Sequence, residues 1–172
     1  MKTKRFEKKP AVFLDRDGTI NYDKGYTYKF SEFKFRPNIL KGLKYISKKK
    51  YLIFIVTNQA GIAKGKYKVL DVLKLHDQLI KFLLKKEIII NEIQFCPFHP
   101  KALLKKYRKK TPLRKPGNLM IKKIIKKWNI DVKKSFMIGD QRKDMLAAKK
   151  SELYFEFVSK DFYKQVRKII KN

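Results

Sequence analysis

The sequence predicts an α/β fold, a three-layer sandwich with helices on both faces of a parallel sheet. Three observations predict it. Short apolar runs of strand length alternate with stretches of helical periodicity along the chain. The clearest runs are continuously apolar, as in strands buried on both faces. Polar, chemically capable residues follow their ends, as at the carboxyl edge of such a sheet.

The first run, Ala11-Val12-Phe13-Leu14, leads into Asp15-Arg16-Asp17-Gly18 and reads as a buried strand that delivers acids into a loop. A helix is predicted over 37–49, with Leu40, Leu43 and Ile46 on one face, and a second strand over 51–56, ending at Thr57-Asn58. The next helix is predicted over 69–86, with Leu73, Leu79 and Leu83, followed by a weaker strand over 92–95 that ends at Cys96. A helix over 117–128, a strand over 135–138 ending at Gly139-Asp140, and a helix over 141–150 come next. A last strand near 153–158 and a terminal helix near 161–170 complete the series. No internal repeat and no linker rich in Pro, Gly or Ser interrupts it. A chain of 172 residues is thus expected to form a single domain spanning 1–172, with its core over about 10–158.

A hydrophobic content of 44% with 13% aromatics is that of a folded chain despite the charge. The net charge of +30 points toward polyanions. Yet only 7 of the 45 basic residues are Arg, and the Lys are scattered in pairs and triplets over the whole length. Specific phosphate and base recognition favours the planar Arg fork, so the pattern reads as a solvated exterior with no specific nucleic-acid partner. The single cysteine excludes an internal disulfide, and the basic start is followed by no apolar leader core. No run approaches the ~18 apolar residues of a membrane span. A soluble cytoplasmic protein with no membrane partner is expected.

Asp15 and Asp17 stand two apart at a strand end, and Gly18 lets the backbone turn sharply after them. Two such carboxylates can divide labour. One can attack phosphorus while the other exchanges protons with the leaving group and with water. By itself Asp-x-Asp-Gly is equally a turn with solvated acids.

Asp15-Arg16-Asp17-Gly18-Thr19-Ile20 resembles the first motif of the haloacid dehalogenase phosphatases, and later strand ends supply the other motifs in order. Val56-Thr57-Asn58-Gln59 is similar to the second, Arg114-Lys115-Pro116 to the third, and Gly139-Asp140-Gln141-Arg142-Lys143-Asp144 to the fourth. The resemblance implies a fold without a large cap domain and a magnesium-dependent phosphoric monoester hydrolase working through an aspartyl phosphate. It implies Asp15, Asp17, Thr57 and Lys115 as catalytic residues, with Asn58, Gln59 and Arg114 binding substrate. Asp15, Asp140 and the main-chain carbonyl of Asp17 would hold Mg2+, a cation that prefers oxygen ligands. Asp144 would orient Lys115.

Within that family the chain is most similar to the subgroup of D-glycero-D-manno-heptose 1,7-bisphosphate 7-phosphatases and histidinol-phosphatases. Three stretches carry this: 17–21 with Gly25-Tyr26, then 57–65, then Cys96-Pro97 leading to Arg114-Lys115-Pro116. The loop between Cys96 and Arg114 holds seventeen residues, as in the heptose enzymes. The resemblance implies a monomer acting on a small phosphorylated sugar, foremost the heptose bisphosphate. Histidinol phosphate, another small metabolite, and a phosphate at a nucleic-acid 3′ end remain alternatives, as does a basic nucleic-acid-binding protein on the same scaffold. The subgroup usually carries a structural zinc in this loop, held by Cys-Pro-His and a later Cys-x-Cys. Here Phe98, Thr111 and Leu113 occupy the other ligand positions, and Cys96 and His99 are two ligands too few for a closed zinc site. No structural zinc is expected.

Overall fold

The computed structural model describes residues 7–171. Five strands, β1 (Ala11–Leu14), β2 (Leu52–Asn58), β3 (Glu92–Cys96), β4 (Phe136–Gly139) and β5 (Tyr154–Phe157), form a parallel sheet in the order β3-β2-β1-β4-β5. Among the described residues six α-helices accompany them: α1 (Ile39–Lys48), α2 (Ala60–Ala63), α3 (Val69–Leu84), α4 (Leu119–Trp128), α5 (Arg142–Lys149) and α6 (Phe162–Lys171). Among the described residues no helix is long and apolar enough to cross a membrane.

Successive strand side chains point to opposite faces, and this alternation builds the two cores. Val12, Leu14, Ile53, Ile55 and Ile138 pack on one face under α1, α3 and α6. Ala11, Phe13, Phe54, Val56 and Met137 pack on the other under α4 and α5. Both faces of β1 are covered, which is why its four residues are apolar without alternation. Helices α1 and α6 press together at Gly42, where a Cβ would stand 2.3 Å from the Phe162 ring.

The layers and the parallel sheet agree with the sequence, and the differences are local. Strand β2 runs two residues beyond Val56, because Thr57 and Asn58 pair with Phe95 and Cys96 of β3. The α3 face is misassigned at one position. Val72, Leu75, His76, Leu79 and Leu83 are buried at helical spacing, while Leu73 lies a third of a turn away and is exposed. Helix α1 likewise buries Ile39 with Leu43 and Ile46, and Leu40 only partly. The short α2 was not foreseen.

From β1 the chain adds β2 and β3 on one side and then returns to place β4 on the other. The order therefore reverses beside β1, and in open α/β sheets the crevice at the carboxyl ends of such strands takes the ligand.

Candidate functional site

Asp15 leaves the end of β1 with its main-chain N–H donating to the Ile138 carbonyl of β4 at 3.1 Å, so the carboxylate is aimed from the middle of the sheet. It is 4% exposed. Its Oδ1 accepts from the Arg16 N–H at 2.7 Å and lies 2.9 Å from Lys115 Nζ. The same ammonium lies 2.6 Å from Asp144 Oδ1 and donates to the Val56 carbonyl at 2.7 Å. Three acceptors thus surround the three N–H bonds of a fully buried lysine.

Burial would depress the Lys115 ammonium, but Asp15 and Asp144 outweigh that and hold its pKa above the ordinary value. Burial pushes Asp15 the other way, up to about 6, with Lys115 opposing and Asp144 reinforcing the rise. Asp140, at the end of β4, is also raised, first by burial and then by Asp144. Two carboxylates thus share one buried cation, and Asp144 stands close enough to Asp140 to raise it.

Asp15, Asp140 and Asp144 each offer an oxygen within 4.8 Å of the others, the one such group of metal-ligating side chains among the described residues. Asp140 Oδ1 is buried with no hydrogen-bond partner, whereas Asp144 is already spent on Lys115 and on the Gln141 N–H at 3.0 Å, which caps α5. The donor set is oxygen throughout, and an orphaned carboxylate oxygen asks for a cation. These residues fit magnesium. Asp15 and Asp140 are its side-chain candidates, and Asp144 is ion-paired with Lys115.

Asp17 is gripped from several sides. Its Oδ1 accepts from Arg16 Nε at 3.1 Å and Nη2 at 3.0 Å and from Asn21 Nδ2 at 3.1 Å, and its Oδ2 from Arg16 Nη2 and Gln59 Nε2, both at 2.9 Å. These bonds occupy the Asp17 side chain and leave its carbonyl as the candidate metal ligand.

Thr57 is buried, and its hydroxyl accepts from Gln59 Nε2 at 2.9 Å, which leaves the hydroxyl hydrogen free to donate. The side chains of Gln59 and Asn58, expected at the substrate, are both engaged with protein. Gln59 Oε1 accepts from the Tyr67 hydroxyl at 2.7 Å. Asn58 clasps the Lys115 backbone, donating to its carbonyl and accepting from its N–H, both at 3.0 Å. In this arrangement Gln59 orients Asp17, and Asn58 ties the lysine loop to β2. Arg114 diverges from Lys115, is half-buried with Nη1 donating to the Phe98 carbonyl at 3.3 Å, and lines a cavity of about 500 Å3 with Lys110, Thr111, Lys115 and Lys150. Sequence reasoning passed over Arg16 and His76, which meet beneath Asp17 at 3.0 Å. In the loop after β3, the Cys96 thiol is directed at the Phe98 carbonyl, and His99 Nδ1 accepts from the Lys101 N–H.

Comparison with known proteins sharpens the picture. The family model described as polynucleotide kinase 3 phosphatase matches residues 11–168. The chain is 37% identical over 163 residues to a D-glycero-beta-D-manno-heptose-1,7-bisphosphate 7-phosphatase of Rhodopseudomonas palustris, covering 92% of this chain and 91% of that protein. The chain belongs to the haloacid dehalogenase phosphatases. A second relative of this phosphatase, the D-glycero-alpha-D-manno-heptose-1,7-bisphosphate 7-phosphatase of Campylobacter jejuni, is 39% identical over 153 residues, 89% of this chain and 80% of the other. The fold of the phosphatase matches D,D-heptose 1.7-bisphosphate phosphatase from B. bronchiseptica, solved with magnesium and phosphate, at a TM-score of 0.82 and 20% identity over 94% of this chain and 98% of that one.

Proposed function

We propose that this phosphatase hydrolyses the 7-phosphate of a D-glycero-D-manno-heptose 1,7-bisphosphate in a magnesium-dependent reaction, with Asp15 as nucleophile. One observation carries the chemistry. A buried lysine fixes Asp15 at the sheet edge, beside an Asp140 oxygen that has no protein partner. The names of the sequence relatives supply the sugar.

An oxygen of Asp15 attacks phosphorus, forming the acyl-phosphate bond as the bond from phosphorus to the sugar oxygen breaks. Asp17 gives that leaving oxygen its proton and takes one back from the water that next attacks phosphorus. The second attack breaks the bond to Asp15, releases inorganic phosphate and restores the carboxylate. Magnesium, held by Asp15, Asp140 and the Asp17 carbonyl, would neutralise charge on the phosphoryl oxygens. Lys115 keeps Asp15 oriented and adds its own positive charge, and the Thr57 hydroxyl donates to a phosphoryl oxygen. Arg114, turned to the neighbouring cavity, meets the rest of the substrate.

The test is release of phosphate from the heptose bisphosphate with magnesium, and its loss on Asp15→Asn. An Asp15→Asn rate within about tenfold of wild type, about 1.4 kcal/mol of barrier, would overturn the nucleophile assignment. The net charge of +30 and the matched family model favour a second reading, removal of a phosphate from a nucleic-acid 3′ end. Faster turnover of a 3′-phosphorylated oligonucleotide than of any sugar phosphate would establish that reading instead.

A further inference from the structure

Arg16 is the largest fully buried side chain, and its position between two reacting carboxylates in sequence hides how it is held. Its guanidinium donates to both oxygens of Asp17, to the Thr27 carbonyl at 2.7 Å and, through Nη1, to Nε2 of His76 at 3.0 Å. His76 comes from the buried face of α3, 60 residues on, and its ring packs edge-on against Phe95 at 5.7 Å between centroids.

Arginine has no acceptor, so this contact exists only if Nε2 presents a lone pair and the imidazole is neutral. Burial and the adjacent guanidinium both hold the ring in that form. A carboxylate in its place would share the positive charge of Arg16 with Asp17. A neutral acceptor instead fixes the guanidinium plane and leaves its whole charge facing Asp17.

We propose that His76 is a positioning residue for proton exchange: through Arg16 it sets the orientation of the Asp17 carboxylate at the leaving-group oxygen. Arg16 Nε and Nη2, with Asn21, anchor Asp17 Oδ1, while Oδ2 has the two donors Arg16 Nη2 and Gln59 Nε2 and is the oxygen more readily freed for a proton. Without His76 the guanidinium can pivot about its remaining contacts, and the carboxylate turns with it. The proposal rests on the reading of Asp17 as the group that protonates the leaving oxygen.

Leaving-group dependence of the first step, phosphoryl transfer to Asp15 measured in single turnovers, provides the test. A sugar alkoxide needs a proton and a p-nitrophenolate does not, whereas the later attack of water uses Asp17 with either substrate. His76→Leu removes the acceptor at similar volume, and His76→Gln keeps a neutral one. Leu should lower this first-step rate for the sugar phosphate by about tenfold or more, a fraction of what a well-placed general acid supplies. It should leave p-nitrophenolate release in the first turnover within about threefold, with Gln restoring most of the loss on the sugar phosphate. His76→Phe serves as the acceptor-free variant if Leu fails to fold, as judged by circular dichroism. Equal first-step losses on both substrates, or Gln no better than Leu, would overturn the proposal. Asp17→Asn is the separate control. If it slows the first step of both substrates alike, the reading of Asp17 as the acid for the leaving oxygen fails and the proposal falls with it. If Asp17→Asn discriminates and the His76 variants do not, the inference about His76 alone is wrong.

Discussion

The backbone of Gly18 passes so close to Asp140 that a Cβ on it would stand 2.2 Å from the carboxylate oxygen Oδ2. Gly18 also sits at φ +86°, where an L side chain costs about 1–2 kcal/mol. Gly18→Ala should therefore push Asp140 out of line, weakening magnesium binding at least about tenfold with a modest loss of stability. Calorimetric titration with magnesium beside a thermal melt measures both. An Ala variant that binds magnesium as tightly as wild type would show that Asp140 is not held where the ion sits.

Lys115 and Arg114 should separate kinetically, since one is buried between two carboxylates and the other faces the cavity. Lys115→Met leaves Asp15 and Asp144 without their cation, and should cost about 3–5 kcal/mol of stability along with most of kcat. Adding Asp144→Asn should return part of the stability and none of the activity. Arg114→Ala should act on KM and on the choice among substrates. Identical kinetic profiles for the two single variants would refute this division.

The imidazole of His76 gives a pH signature. Burial, with help from Arg16, drives its pKa down to about 3, while the unfolded chain titrates near the ordinary 6.5. Between these values the unfolded state binds a proton that the folded state refuses. Its contribution to stability is complete above pH 6.5 and is lost progressively as pH falls toward 3. Denaturant midpoints for wild type and His76→Gln across this range should therefore converge on acidification. A constant difference would mean that the ring titrates normally in the fold.

One magnesium and no zinc per chain is the expected metal content, measurable by elemental analysis of protein purified without added metal. Zinc in stoichiometric amount that resists chelation would contradict this. A linked proton is expected as well. With Asp15 raised to about 6 in the metal-free protein, magnesium added at a pH of about 5.5 should expel that proton, and the release should fade above pH 7.

The sheet edge could be read from the sequence because buried parallel strands leave unbroken apolar runs, and Asp15 and Asp140 follow directly on two of them. The layers followed from the same runs and the helical spacing between them. Arg16 and His76 could not be paired this way. They lie 60 residues apart on different elements, and a lone His on an apolar helix face carries no mark of what it meets. Leu73 misled for a related reason: on a helix with several leucines, composition alone does not say which of them turn inward. Nor does a motif reveal that the Asn58 amide faces its own backbone neighbour across the site rather than outward.

That clasp between Asn58 and the Lys115 backbone, with Lys115 Nζ also bound to the Val56 carbonyl, moors the far end of a long surface segment directly to β2. Insertions and deletions between residues 97 and 113 need not displace the ammonium, because its berth does not depend on the path the chain takes to reach it. Evolution can therefore reshape that segment to greet new substrates while the reacting groups stay in register.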